Sequence, residues 1–148
     1  MVLSKRLILA CAASAVFVAP VLAADHDFEI TYKVWSQHID TTTQYNAKHN
    51  FIGLEYRKGN QGYAISSFKN SHYKQSYLID YVRYWKPFDY VELSARIGAV
   101  TGYGREYDCV TQVCPFASVG IAYTAYNQLI PKLSFAPGVF VLSFSFRF

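Results

Sequence analysis

The sequence predicts an all-β domain: eight antiparallel strands closed into a transmembrane β-barrel, preceded by a cleaved signal peptide. Three observations carry that prediction. Alternation with a period of two recurs from Phe28 to the last residue, aromatic residues make up 18% of the chain against 16% charged, and nothing beyond the N-terminal segment is long and apolar enough to cross a membrane as a helix. A chain that crosses hydrocarbon without helices must close its sheet, because an open edge leaves backbone donors and acceptors unpaired.

The first 23 residues read as targeting rather than fold. Lys5 and Arg6 form a basic start, Leu7 to Val21 an apolar core, and Val21-Leu22-Ala23 a run of small and apolar residues suited to cleavage before Ala24. Residues 24–148 are then one domain's worth of chain. The formal charge of +4 falls to +2 when Lys5 and Arg6 are removed, so no nucleic-acid partner is expected. Thirteen Tyr and 11 Phe suit the aromatic girdles of a membrane barrel.

In order, the first strand starts at Phe28, with Phe28, Ile30, Tyr32 and Val34 expected to face lipid and Glu29, Thr31 and Lys33 the lumen. A polar segment from His38 to Asn50 follows. The second strand, Phe51 to Arg57, sets Ile52, Leu54 and Tyr56 against Gly53, Glu55 and Arg57, and Gly59-Asn60 supplies a tight turn. The third, near Gly62 to Phe68, turns Tyr63 and Ile65 outward and Ala64, Ser66 and Phe68 inward. The fourth, Ser76 to Trp85, should end at Lys86-Pro87, because proline cannot continue a ladder. The fifth alternates Val91, Leu93, Ala95 and Ile97 with Glu92, Ser94, Arg96 and Gly98. The sixth runs from Phe116 to Thr124, a Tyr126-Asn127 turn leads to the seventh, Leu129 to Ala136, and Pro137-Gly138 joins it to the last.

That last strand is the clearest. Phe140, Leu142, Phe144, Phe146 and Phe148 share one parity, and Val139, Val141, Ser143, Ser145 and Arg147 the other. An alternating strand that closes on an aromatic C-terminal residue resembles the final strand of bacterial outer-membrane barrels, where that end is read by the barrel assembly machinery. A Gram-negative outer membrane is the expected location and a monomer the expected state. The connections after strands one, three and five are expected to be longer than the opposite turns, the asymmetry of outer-membrane barrels. A secreted β-sandwich, the alternative fold, has no reason to alternate its loops in this way.

Cys109 and Cys114 lie in one polar segment of an exported chain, which predicts a disulfide; two isolated thiols are a poor metal site. Inward parities carry Glu29, Lys33, Glu55, Arg57, Asp80, Glu92, Arg96 and Arg147. Mutual neutralisation is the expected use of these charges, since buried charges need partners. His38, Asn70, Ser71 and His72 approach one rim, and they form the one cluster of catalytic residue types. A histidine beside a serine activates an oxygen nucleophile, and an Asn or Asp can orient the imidazole. His38, His49 and His72 lack a metal-ligand spacing, and no cofactor is expected.

Several stretches resemble the PagP-type lipid A palmitoyltransferases, eight-stranded outer-membrane barrels that move a palmitoyl chain from phospholipid to lipid A. They are Tyr45-Asn46 with Ile52-Gly53-Leu54, Phe68-Lys69-Asn70-Ser71, Pro115 to Gly120, Ala136-Pro137-Gly138 and Ser145-Phe146-Arg147-Phe148. The resemblance implies His38 as general base on the acceptor hydroxyl and Ser71 polarising the ester carbonyl. Asn70, where the family has aspartate, would orient His38. Pro115 and Pro137 would border lipid access, and Phe68, Val139 and Val141 would line an acyl pocket. Membrane phospholipid and lipopolysaccharide are the implied partners. The alternative is a non-enzymatic barrel that presents loops for adhesion, shielding or membrane integrity. A passive pore is a poor third reading, because a lumen of eight strands is narrow and filled.

Overall fold

The computed structural model describes residues 26–40, 42–104, 109, 112–126 and 128–148. The expected signal peptide, Asn127 of one expected turn, residues 105–108 and residues 110 and 111 of the cysteine segment lie outside them. Eight strands follow in chain order: β1 (His26–His38), β2 (Ile52–Lys58), β3 (Gln61–Lys69), β4 (Gln75–Phe88), β5 (Val91–Thr101), β6 (Val113–Tyr123), β7 (Leu129–Ala136) and β8 (Val139–Arg147). Each pairs antiparallel with the next, and β1 pairs with β8, so the sheet closes without an edge. The seam is locked beside the C-terminus, where the backbone N–H of Phe28 donates to Phe148 O (3.0 Å) and that of Phe148 to Phe28 O (2.9 Å).

Period-two alternation decides which residues face out. Ile52, Tyr63, Ile65, Tyr77, Ile79, Ile97, Val119, Phe140 and Phe146 are exposed on the outer wall, whereas Glu29, Glu55, Asp80, Glu92 and Ser145 are buried in the lumen. An apolar outside around a polar inside is the reverse of a water-soluble sheet and suits lipid. Aromatic rings gather at the end where β1 begins and β8 ends: Phe28 with Tyr56 and Phe148, Tyr90 with Tyr123, and Tyr123 with Tyr126.

Four local expectations are corrected. The alternation of β1 does not run through to Val34: its register against β8 shifts between Tyr32 and Trp35. One extra residue there reverses the parity, so Trp35 faces out while Val34, Ser36 and His38 line the lumen. Pro87 does not end β4, which continues to Phe88; the ladder with β5 slips between Trp85 and Phe88, and the irregularity accommodates the missing donor. Cys114 and Pro115 belong to β6 rather than to a loop, paired with Val100 and Ala99. The β3–β4 connection, 70–74, is a compact turn, so the long connections are 39–51 and 102–112.

The lumen has two unlike halves. Toward the termini, four acids and four bases neutralise one another: Arg57 meets Glu92 (2.6 Å), Arg96 bridges Glu55 (2.5 Å) and Asp80 (2.7 Å), Arg147 bridges Glu29 (3.0 Å) and Glu92 (3.2 Å), and Lys132 pairs with Glu29. Tyr84 donates to Glu55, and the Arg57 guanidinium lies 3.8 Å over the Tyr84 ring. Mutual pairing therefore accounts for the inward charges that the structure describes, together with Lys132, which alternation alone did not single out. Toward the long connections the lumen turns apolar, with Leu78, Val100, Cys109 and Cys114 buried together against Phe68, Tyr103 and Phe116.

Candidate functional site

The apolar half of the lumen encloses a cavity of about 700 Å³, a size typical of small-molecule sites. Phe68, Val100, Phe116, Val139 and Val141 are among its walls, and Glu55, Arg96 and Lys132 of the ion network bound it below. The charges thus form a floor and do not interrupt the apolar space.

At the mouth, His38 and Ser71 meet: His38 Nε2 and Ser71 Oγ are 2.9 Å apart. Three local structures bring them there. The bulge in β1 turns His38 inward. Connection 39–51 folds back so that the ring of Tyr45 stacks on His38, with centroids 4.0 Å apart and planes at 18°. Asn46 then fastens that connection to Ser71, its backbone N–H donating to Ser71 O (2.9 Å) and its side-chain Nδ2 to Asn70 O (3.1 Å). Tyr45 also meets His72 edge-on at 5.8 Å, so two histidines share one tyrosine.

Asn70 does not orient His38. It is fully buried, and its side-chain bonds brace the turn and tie it to β4 and to Gly102. Oδ1 accepts from the backbone of His72 (2.9 Å) and Lys74 (3.0 Å), while Nδ2 donates to Ser76 Oγ (3.0 Å) and Gly102 O (2.8 Å). An aspartate would set a carboxylate oxygen against the Gly102 carbonyl, which accepts only, so the amide is what this packing requires. Gly102 has φ +88°, and a Cβ there would meet Gln75 O at 2.6 Å, which leaves the position to glycine. Asn70 therefore positions Ser71 through the backbone. Asp40 accepts from Thr42 N (2.9 Å) and Thr42 Oγ1 (2.8 Å), bonds that hold its carboxyl below the usual range, and among the described residues no hydrogen bond joins it to His38.

A second serine–histidine pair lies deeper, and alternation gave no signal for it. Ser36 Oγ and His49 Nε2 are 2.6 Å apart, both residues are buried, and both line the cavity. The other ring nitrogen, Nδ1, stands 2.7 Å from Lys69 O. His49 reaches this place because segment 46–49 lies along the outer part of β1, with a bridge between Trp35 and Lys48 and the Ser36 N–H donating to Ala47 O (3.1 Å).

Pro115 and Pro137 both border the cavity. Between them the wall is thin: the β6–β7 ladder covers only Val119 to Ala122 against Phe135 to Lys132, while β6 stays paired to β5 as far as Val113. Cys109 and Cys114 are joined in a disulfide with Cα atoms 4.6 Å apart. It is buried against the cavity wall and ties Cys109 to β6. Among the described residues, no group of three or more His, Cys, Asp and Glu is placed to hold a metal.

Neither a protein-family model nor a curated protein matches the chain. Solved structures do. The chain is similar to a de novo designed transmembrane β-barrel, with a TM-score of 0.53 at 10% identity over 84% of this chain and 95% of that one. It is also similar to the Yersinia pestis outer membrane protein Ail in a phospholipid bilayer nanodisc, with a TM-score of 0.54 at 13% identity over 84% of this chain and 99% of that one. At such identities the likeness concerns the fold. Together with the apolar outer wall it identifies an eight-stranded barrel of the outer-membrane type.

Proposed function

We propose that this outer-membrane barrel admits a lipid acyl chain into its apolar half-lumen and transfers it at the rim, as the PagP-type lipid A palmitoyltransferases do. The observation that carries the reading is the His38–Ser71 pair, 2.9 Å apart at the mouth of a cavity of about 700 Å³. The weakly laddered wall between Pro115 and Pro137 is the lipid's route, because a proline offers no N–H to close it. Phospholipid is the donor and the lipid A part of lipopolysaccharide the acceptor. His38 takes the proton of the acceptor hydroxyl, the hydroxyl oxygen attacks the ester carbonyl, and Ser71 polarises that carbonyl. Stacking on Tyr45 holds the imidazole where the family relies on a carboxylate.

The test is mass spectrometry of lipid A from an outer-membrane-competent host that expresses the chain. An added acyl mass is expected, and it should be lost in Ser71→Ala and in His38→Ala. An unchanged lipid A in cells with folded wild-type barrel overturns the reading.

A second reading has its own support in the likeness to Ail, the attachment invasion locus protein of Yersinia pestis. In this reading the barrel is not an enzyme and presents connections 39–51 and 102–112 for contact with other surfaces. That Asn70 serves the turn favours it, as does the disulfide that fixes Cys109 to β6. Loop substitutions that abolish attachment while lipid A stays unaltered would select it. In either reading the strand ending at Phe148 is the segment offered to the barrel assembly machinery.

A further inference from the structure

Ser36 and His49 form a pair whose protons are assigned by geometry. A carbonyl oxygen only accepts, so the 2.7 Å contact with Lys69 O places the His49 proton on Nδ1. Nε2 then holds a lone pair, and at 2.6 Å the Ser36 hydroxyl must be the donor. That is a serine aimed at a neutral imidazole whose far nitrogen is held by a third group, the arrangement that activates an oxygen nucleophile. The His38–Ser71 pair is less defined, since among the described residues nothing bonds Nδ1 of His38. Both Ser36 and His49 line the cavity, so a ligand there lies against the pair. Ser36 lies two residues below His38 on β1, roughly 6 to 7 Å deeper along the strand.

We propose that Ser36 is a nucleophile for carboxylic esters that enter the cavity, with His49 as its general base and the Lys69 carbonyl as the group that orients His49. This inference rests on the reading that the cavity accepts an acyl chain, and it adds a covalent step. Ser36 Oγ bonds to the ester carbonyl carbon while its proton passes to His49 Nε2. The bond to the alcohol oxygen breaks, that oxygen leaves with the proton from His49, and the acyl group remains on Ser36 as an ester. In this route His49 takes the part that His38 has in direct transfer: a second hydroxyl, from water or a sugar, gives its proton to His49, attacks the acyl carbon and releases Ser36, whose oxygen recovers the proton. No oxidant or reductant is needed.

The experiment is to treat the full-length barrel, folded in detergent micelles, with a long-chain alkyl fluorophosphonate. An activated serine displaces the fluoride and keeps the phosphonyl group, and peptide mass spectrometry locates it. Label on Ser36 is expected, absent in Ser36→Ala, retained in Ser71→Ala, and slowed about a hundredfold or more in His49→Gln, the usual weight of a general base. Circular dichroism checks that each variant keeps its barrel. If His49→Gln does not fold, the wild-type labelling rate against pH carries the same information, because protonation of His49 must abolish it. Absence of label on Ser36 in folded wild type, or label that His49→Gln leaves unchanged, overturns the proposal. Label on Ser36 with unaltered lipid A would retain it and remove the lipid A acceptor. Transfer to lipid A that survives Ser36→Ala would remove the covalent step alone.

Discussion

The two halves of the lumen are built from the same strands and do opposite things. Near the termini Glu29, Glu55, Asp80 and Glu92 are matched by Arg57, Arg96, Lys132 and Arg147, which leaves a filled, neutral plug. Near the long connections the inward positions hold Val, Phe, Leu and a disulfide beside the two serine–histidine pairs, and a cavity remains. The contrast teaches where this fold places its stability and where it leaves room. A network of buried ion pairs tolerates little change, because removing one member strands the others in low dielectric. The cavity half gives up packing for space, and its order comes from hydrogen bonds that fasten 39–51 and 70–74 to each other.

The comparison breaks most visibly at Glu29. Glu29→Ala leaves Lys132 and Arg147 without their shared carboxylate, and urea unfolding in micelles should show a loss of about 3–5 kcal/mol. A loss below about 1 kcal/mol would mean that water reaches the plug and that the two halves are less distinct than their chemistry. Asn70→Ala comes next. It strands the backbone donors of His72 and Lys74, a cost of about 1–3 kcal/mol, and loosens the turn that presents Ser71. Acyl transfer should therefore fall along with stability, whereas a role confined to chemistry would leave unfolding unchanged.

Val141→Phe sharpens the contrast from the other side. It adds volume to the cavity wall, where space exists, so stability should change by less than about 1 kcal/mol while binding of a spin-labelled fatty acid weakens. The same enlargement among the ion pairs would be costly.

The smallest effect is one of pH. Burial pushes the His49 imidazole below its ordinary range, against a partial rise from its bond to Lys69 O. The groups around it are Ser36 and His38 from β1, and Phe68 and the Lys69 carbonyl from β3. A lowered pKa keeps the neutral, competent form at lower pH. Labelling of Ser36 should persist below the pH at which a free histidine is half protonated, and then fall as pH drops further. The tie between Ser36 and His49 follows the same sign, present above that range and lost on acidification. A midpoint at or above the ordinary histidine value would contradict the buried placement.

Much of the barrel could be read from residue order, because strand alternation is local. Parity alone assigns Ile52, Leu54, Tyr63, Ile65, Ile79, Ile97 and the phenylalanines of β8 to the outside, and Glu29, Glu55, Asp80 and Glu92 to the inside. Eight such segments in a chain with a hydrophobic outer parity leave closure as the way to satisfy every backbone group in lipid. The site was less legible. Ser71 and the rim cluster came from residue type, yet the part taken by Asn70 depended on a carbonyl 32 residues away, at Gly102. The inward turn of Ser36 and His38 depended on one extra residue in β1, which is visible only against the register of β8. His49 reached Ser36 because a connection folded back as a continuation of the wall. Alternation passes from neighbour to neighbour along a strand and so is written in the chain. Register, fold-back and the sharing of a carbonyl join residues distant in sequence, and only the closed barrel brings those together.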